Sequence, residues 1–108
     1  MKKKNIVKDN RYFNQIIDNN EFLKSNYFII YMLKTNEPES KFGIATGKKL
    51  GNAVIRNKLK RRYRSLVDEN KLLFPKGFDY IIMVKKASLQ ASFKEINDSI
   101  KEIFKKEW

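Results

Sequence analysis

The 108-residue sequence predicts an α+β fold, an α-β sandwich of helices on a small mixed β-sheet. Three observations predict it. Two apolar, β-branched and aromatic runs, "NYFIIYMLK" (26–34) and "FDYIIMVKK" (78–86), have the composition and length of buried strands. A C-terminal stretch carries apolar residues at helical spacing. A segment with helical periodicity, 53–67, lies between a shorter strand at 41–47 and the strand at 78–86, so those two strands and the helix would form a βαβ crossover.

Each element follows in chain order. Asp9 or Asn10 can cap a first helix, with Phe13, Ile16 and Ile17 on one face and a stop at Asp18, Asn19 and Asn20. Residues 26–34 are apolar on both faces, as a central strand is. "TNEPES" (35–40) supplies a turn, and "KFGIATG" (41–47) a second, antiparallel strand weakened by Gly43. The basic helix follows, then the "PKG" turn (75–77) and the strand 78–86. Ser92 and Glu95 stand at capping-box spacing ahead of a stripe of Phe93, Ile96, Ile100, Ile103 and Phe104. The chain, 1–108, is expected to be a single domain.

Composition narrows the function. Lysine and arginine number 24 against 12 acids, a net charge of +12, which calls for a polyanionic partner. There is no cysteine and no histidine. That removes disulfides, thiolate zinc sites, imidazole ligands and the Ser-His and Cys-His nucleophile pairs. Glu37 pairs with Glu39 on a turn and Asp68 with Glu69 at the end of the basic helix, and neither pair has a third ligand at metal-site spacing. No intrinsic active site is expected. The longest apolar run, "YFIIYML", is far short of the roughly 20 residues of a membrane span. No apolar h-region follows "MKKKN", so the expected location is the cytoplasm.

The charge is concentrated. Residues 1–39 carry +2, 40–67 carry +9 with no acid, and 68–108 carry +1. On a helical wheel Ile55, Leu59, Tyr63 and Leu66 make an anchoring stripe, while Arg56, Asn57, Lys60, Arg61 and Arg64 gather on another face. Stacking Arg56, Lys60 and Arg64 at i, i+4 and i+8 costs about 0.2–0.5 kcal/mol per like-charge pair. A face made only for solubility would intersperse acids, as the C-terminal helix does with Lys94, Glu95, Asp98, Lys101 and Glu102. The apolar stripe is wanted by the sheet rather than by lipid, and the strands argue against a helical DNA reader. RNA is therefore the expected polyanion. Phe13, Tyr27, Phe28, Tyr31 and Tyr80 lie on neighbouring elements, where each ring can either pack in the core or stack on a base.

The stretch "FGIATGKKLGNAVIRNKLKRRYRSLV" closely resembles the signature of the bacterial ribonuclease P protein subunit, an Arg-Asn-Arg run followed by Lys-Arg. "NRYFNQII", "YFIIYML" and "FDYIIMVKKAS" extend the resemblance over nearly the whole chain. It implies a ribosomal-protein-domain-like fold of order α-β-β-(β)-α-β-α with a left-handed βαβ crossover. It also implies a basic protein that assists a catalytic RNA in endonucleolytic removal of the 5′ leader of precursor tRNA. By that resemblance Lys48, Lys49, Gly51, Asn52, Arg56, Asn57, Lys58, Lys60, Arg61 and Arg64 would meet the catalytic RNA, with Gly51 turning the chain and Asn52 capping the helix. Phe13, Ile17 and Tyr31 would line a cleft for the leader, although Ile17 stands where a second phenylalanine is common, and Lys58 replaces an arginine. Mg2+ would be held mainly by the RNA, with none bound by the protein alone. The partners would be the catalytic RNA and precursor tRNA, without DNA or membrane, and the free protein would be a monomer. The alternative is a structural RNA-binding protein of ribosomal type, with the same basic face and no leader cleft.

Overall fold

The computed structural model describes residues 3–107. Three helices and a four-stranded mixed sheet appear in the order α1 (Asn10–Asp18), β1 (Phe22–Lys24), β2 (Phe28–Lys34), β3 (Phe42–Ala45), α2 (Ala53–Glu69), β4 (Phe78–Val84) and α3 (Phe93–Glu107). Across the sheet the strands run β1-β2-β4-β3.

Alternation along the strands divides the interior in two. Phe28, Ile30 and Met32 of β2, Phe42 of β3, and Tyr80, Ile82 and Val84 of β4 face one side. There they meet Leu59, Tyr63, Leu66 and Val67 of α2 and Ile96, Ile100 and Phe104 of α3. Ile81 of β4, with Tyr31 and Leu33 of β2, faces the other side, where Ile16, Phe13 and Ile17 of α1 lie on it. The helix starts match their sequence signals. Asp9 accepts from the Arg11 N–H at 2.9 Å. Ser92 and Glu95 cap each other at 3.0 and 3.1 Å.

One sequence expectation is corrected. The strand at 41–47 does not form an antiparallel hairpin with 26–34. It pairs in parallel with β4, as the expected βαβ crossover through the basic helix requires, Phe42 beside Tyr80 and Ala45 beside Met83, at the far edge of the sheet. The physical reason is that β4 is buried on both faces and takes the central place beside β2, while the short, glycine-bearing β3 is left to an edge. The Asp79 carboxylate fixes this arrangement by accepting from the Lys41 N–H at 2.7 Å.

The strand that the residues alone did not show lies ahead of residues 26–34, and with it the order is the α-β-β-β-α-β-α that the resemblance implies. It is β1, three residues paired antiparallel with β2, with Phe22 opposite Tyr31 and Lys24 opposite Ile29. A run this short gives too little alternation to register as a strand. Ser25 makes the turn between them, its Oγ accepting from the N–H groups of Tyr27 (3.0 Å) and Phe28 (3.2 Å).

Among the described residues no helix is long and apolar enough to cross a membrane.

Candidate nucleic-acid interface

The basic helix begins at a backbone turn that only glycine adopts readily. Gly51 has φ of 141°, and a Cβ there would sit 3.0 Å from Ile55 Cδ1. Asn52 then caps α2, its Oδ1 accepting from the Ile55 N–H at 3.0 Å.

Leu59, Tyr63 and Leu66 are buried as the wheel predicts, with Val67 beside them. Ile55 departs from the predicted stripe. It is 40% exposed because its side chain folds back over Gly51 instead of reaching the sheet.

Tyr63 sets the roll of α2 about its axis. Its ring is fully buried, its hydroxyl lies 2.5 Å from Ser88 Oγ, and it donates to the Tyr27 carbonyl at 3.2 Å. Ser88 Oγ also donates to that carbonyl, at 2.7 Å. Burial pushes the Tyr63 phenol up to about 12, so it is a neutral hydrogen-bonding group at any physiological pH. With this side held, Asn57, Lys58, Arg61 and Arg64 are exposed, and Arg56 and Lys60 are half-buried.

On the other side of the sheet, α1 approaches the strands at Gly43. A Cβ at Gly43 would lie 2.9 Å from Phe13 Cε2 and 2.6 Å from Ile81 Cδ1, so the missing side chain is the space the Phe13 ring occupies. Tyr12 anchors the same helix. Its hydroxyl donates to the buried Asp79 carboxylate, whose other oxygen holds Lys41 N–H. Burial, and then Asp79, push the Tyr12 phenol up to about 12.

An open groove of about 860 Å³ joins the two regions. Its wall includes Phe13 from α1, Ala45 at the end of β3 with Thr46 after it, Lys48 and Lys49 from the turn, Lys60 from α2, Met83 from β4 and Lys86 from the short helical turn after β4. Of the residues expected to bind RNA, the groove thus gathers Phe13, Lys48, Lys49 and Lys60. Ile17 and Tyr31 pack with Phe13 between α1 and the sheet but do not line the groove. Gly51, Asn52, Arg56, Asn57, Lys58, Arg61 and Arg64 lie outside it, on the turn and the outer faces of α2. Phe28 and Tyr80, which the sequence left able to stack on bases, are fully buried core rings.

Nothing in the sequence around Thr46 and Lys86 marks them as groove residues. Lys86 follows an apolar strand in an ordinary Lys-Lys pair, and the parallel β3–β4 pairing brings the turn that holds it beside Lys48 and Lys49. Thr46 Oγ1 and Arg56 Nε are buried without a hydrogen-bond partner among the described residues. Such groups are costly when left unpaired. Among the described residues no cluster of three or more acids is placed to hold a metal ion. The surface therefore offers cations, an aromatic ring and an open channel, which suit single-stranded nucleic acid.

A family model described as Ribonuclease P matches residues 1–107. The Ribonuclease P protein component of Mesoplasma florum is 39% identical, over 97% of this chain and 100% of its own length. That of Bacillus mycoides is 33% identical, over 98% and 93%. Among solved structures, the RNase P protein from Thermotoga maritima superposes with a TM-score of 0.82 at 30% identity, covering 94% of this chain and 96% of that one. The Staphylococcus aureus RNase P protein superposes at 0.81 with 26% identity, over 94% and 93%.

Proposed function

The chain belongs to the ribonuclease P protein family, and from that premise we propose that it is the protein component of ribonuclease P, the ribonucleoprotein that matures the 5′ end of tRNA. The observation that carries this reading is the groove, which runs from the Phe13 ring to the lysines beside the basic helix. One side of the molecule is thus suited to a folded RNA and the adjoining groove to a single strand.

In this reading the outer face of α2, with Arg56, Asn57, Lys58, Lys60, Arg61 and Arg64, together with Lys48, Lys49, Gly51 and Asn52 at its start, meets the catalytic RNA. Arginine can bind a phosphate bidentately, and lysine acts as a point charge. Phe13 gives the leader an aromatic wall in the groove, with Ile17 and Tyr31 packed behind it between α1 and the sheet. Two RNAs that repel each other are then held together by a protein that carries +12. Binding energy from the leader, remote from the scissile bond, favours precursor over product.

The hydrolysis itself is assigned to Mg2+ held mainly by the RNA. In this reading the protein's work is binding and positioning. The setting is the cytoplasm, with the free protein a monomer. Relatives that cover the chain end to end carry the ribonuclease P name, which leaves the ribosomal alternative without support.

A processing assay tests the reading. Adding the purified protein to a ribonuclease P RNA at low magnesium should stimulate cleavage of precursor tRNA. Absence of stimulation, with the protein folded, would overturn it.

A further inference from the structure

The sheet face under α1 continues past Tyr31 to the edge strand. Phe22 of β1 lies opposite Tyr31, their ring centroids 5.7 Å apart and tilted by 53°. Leu23 turns the other way and packs against the main core, so Phe22 and Lys24, two apart, share the Tyr31 face. Phe22 is 43% exposed, unlike the buried rings of the core, and Lys24 is exposed beside it.

A single exposed apolar residue is ordinary. This one continues a line of cross-strand neighbours, Phe22, Tyr31, Ile81 and Gly43, whose last member seats the Phe13 ring. At strand spacing the line spans roughly 14 Å. A cation stands at each end: Lys24 at β1, and Lys48, Lys49, Lys60 and Lys86 around the groove at β3. The middle of this line is covered by α1, with Ile81 fully buried, so its open part at β1 is Phe22 with Lys24, a ring beside a cation of the kind that suits a base and its adjacent phosphate. Phe22 and Lys24 also border, with Leu23, a hollow toward α3 that includes Glu102.

We propose that Phe22 and Lys24, backed by Tyr31, form a further leader-binding subsite at the β1 edge, with a base stacked on Phe22 and the adjacent phosphate on Lys24. It rests on the leader groove proposed above and extends it. Because β1 is the strand farthest from β3 and the lysine-lined groove, the subsite takes leader nucleotides farther from the cleavage site.

The experiment uses holoenzyme assembled with the full-length chain and precursor tRNAs of graded leader length, with mature tRNA as the zero point. Phe22→Ala should lower affinity roughly fivefold or more for long leaders and leave short-leader precursors and mature tRNA unchanged. Phe22→Tyr should bind as the parent does, and Lys24→Ala should reduce the salt dependence for long leaders only. If the parent enzyme prefers precursor to mature tRNA but Phe22→Ala matches it at every leader length, the subsite is refuted and the groove stands. Equal weakening at all lengths, mature tRNA included, would make Phe22 merely structural and also refute it. If the parent enzyme itself shows no preference for precursor, the groove reading fails first.

Discussion

Gly43→Ala tests whether the close seating of α1 creates the leader wall. The added methyl would lie 2.6 Å from Ile81 Cδ1 and 2.9 Å from Phe13 Cε2, well inside ordinary contact. Ile81 is fully buried and has little room to retreat, so the Phe13 ring must move, and α1 with it. Overpacking of this kind costs about 1–3 kcal/mol. For a domain of this size that is a fall in Tm of roughly 4–12 °C, taking about 4 °C per kcal/mol. Thermal unfolding measures the first part. The second part is affinity for precursor and mature tRNA in the assembled enzyme, where the precursor advantage should shrink. Binding to the catalytic RNA should hold, because α2 packs on the other side of the sheet. An unchanged Tm with an unchanged precursor advantage would refute the seating. A lower Tm with equal losses for both tRNAs would show that Gly43 supports the fold and not the leader wall.

Other consequences can be measured directly. Alanine at Arg56, Lys60 or Arg64 should each lower the slope of log K against log salt for the catalytic RNA by about 0.7–0.9 if one phosphate contact is lost; an unchanged slope would remove that residue from the interface. Tyr63→Phe keeps the buried ring but removes the hydroxyl, while Ser88 Oγ retains the Tyr27 carbonyl at 2.7 Å. The expected cost is about 1 kcal/mol by denaturant unfolding, and no cost would mean that the hydroxyl does not hold α2. Alkaline stability should also decline in a defined window. The phenols of Tyr12 and Tyr63 are raised in the folded state from an ordinary 10.0 to about 12, so their contribution is complete below pH 10 and lost as pH climbs toward about 12. The double Phe variant should show a shallower decline there, and an identical pH profile would contradict the two buried hydrogen bonds.

Local chemistry was enough to determine much of this protein. The caps at Asp9, Asn52 and Ser92 act within three residues of themselves, so their signals survive without tertiary context. The stripes on α2 and α3 and the two long strands follow from periodicity, and the unrelieved charge of residues 40–67 follows from composition. Those features, with the resemblance they carry, located the basic face and its expected partner. Tertiary structure decided the rest, because it depends on which surfaces compete for burial. β4, apolar on both faces, took the centre and sent β3 to a parallel edge, and that pairing carried the turn that holds Lys86 to Lys48 and Lys49. Ile55 fits a helical stripe, yet the turn at Gly51 keeps it from the sheet. Gly43 looked like a weakness in a strand and proved to be the seat of Phe13, since the space left by an absent side chain has meaning only once a second element fills it.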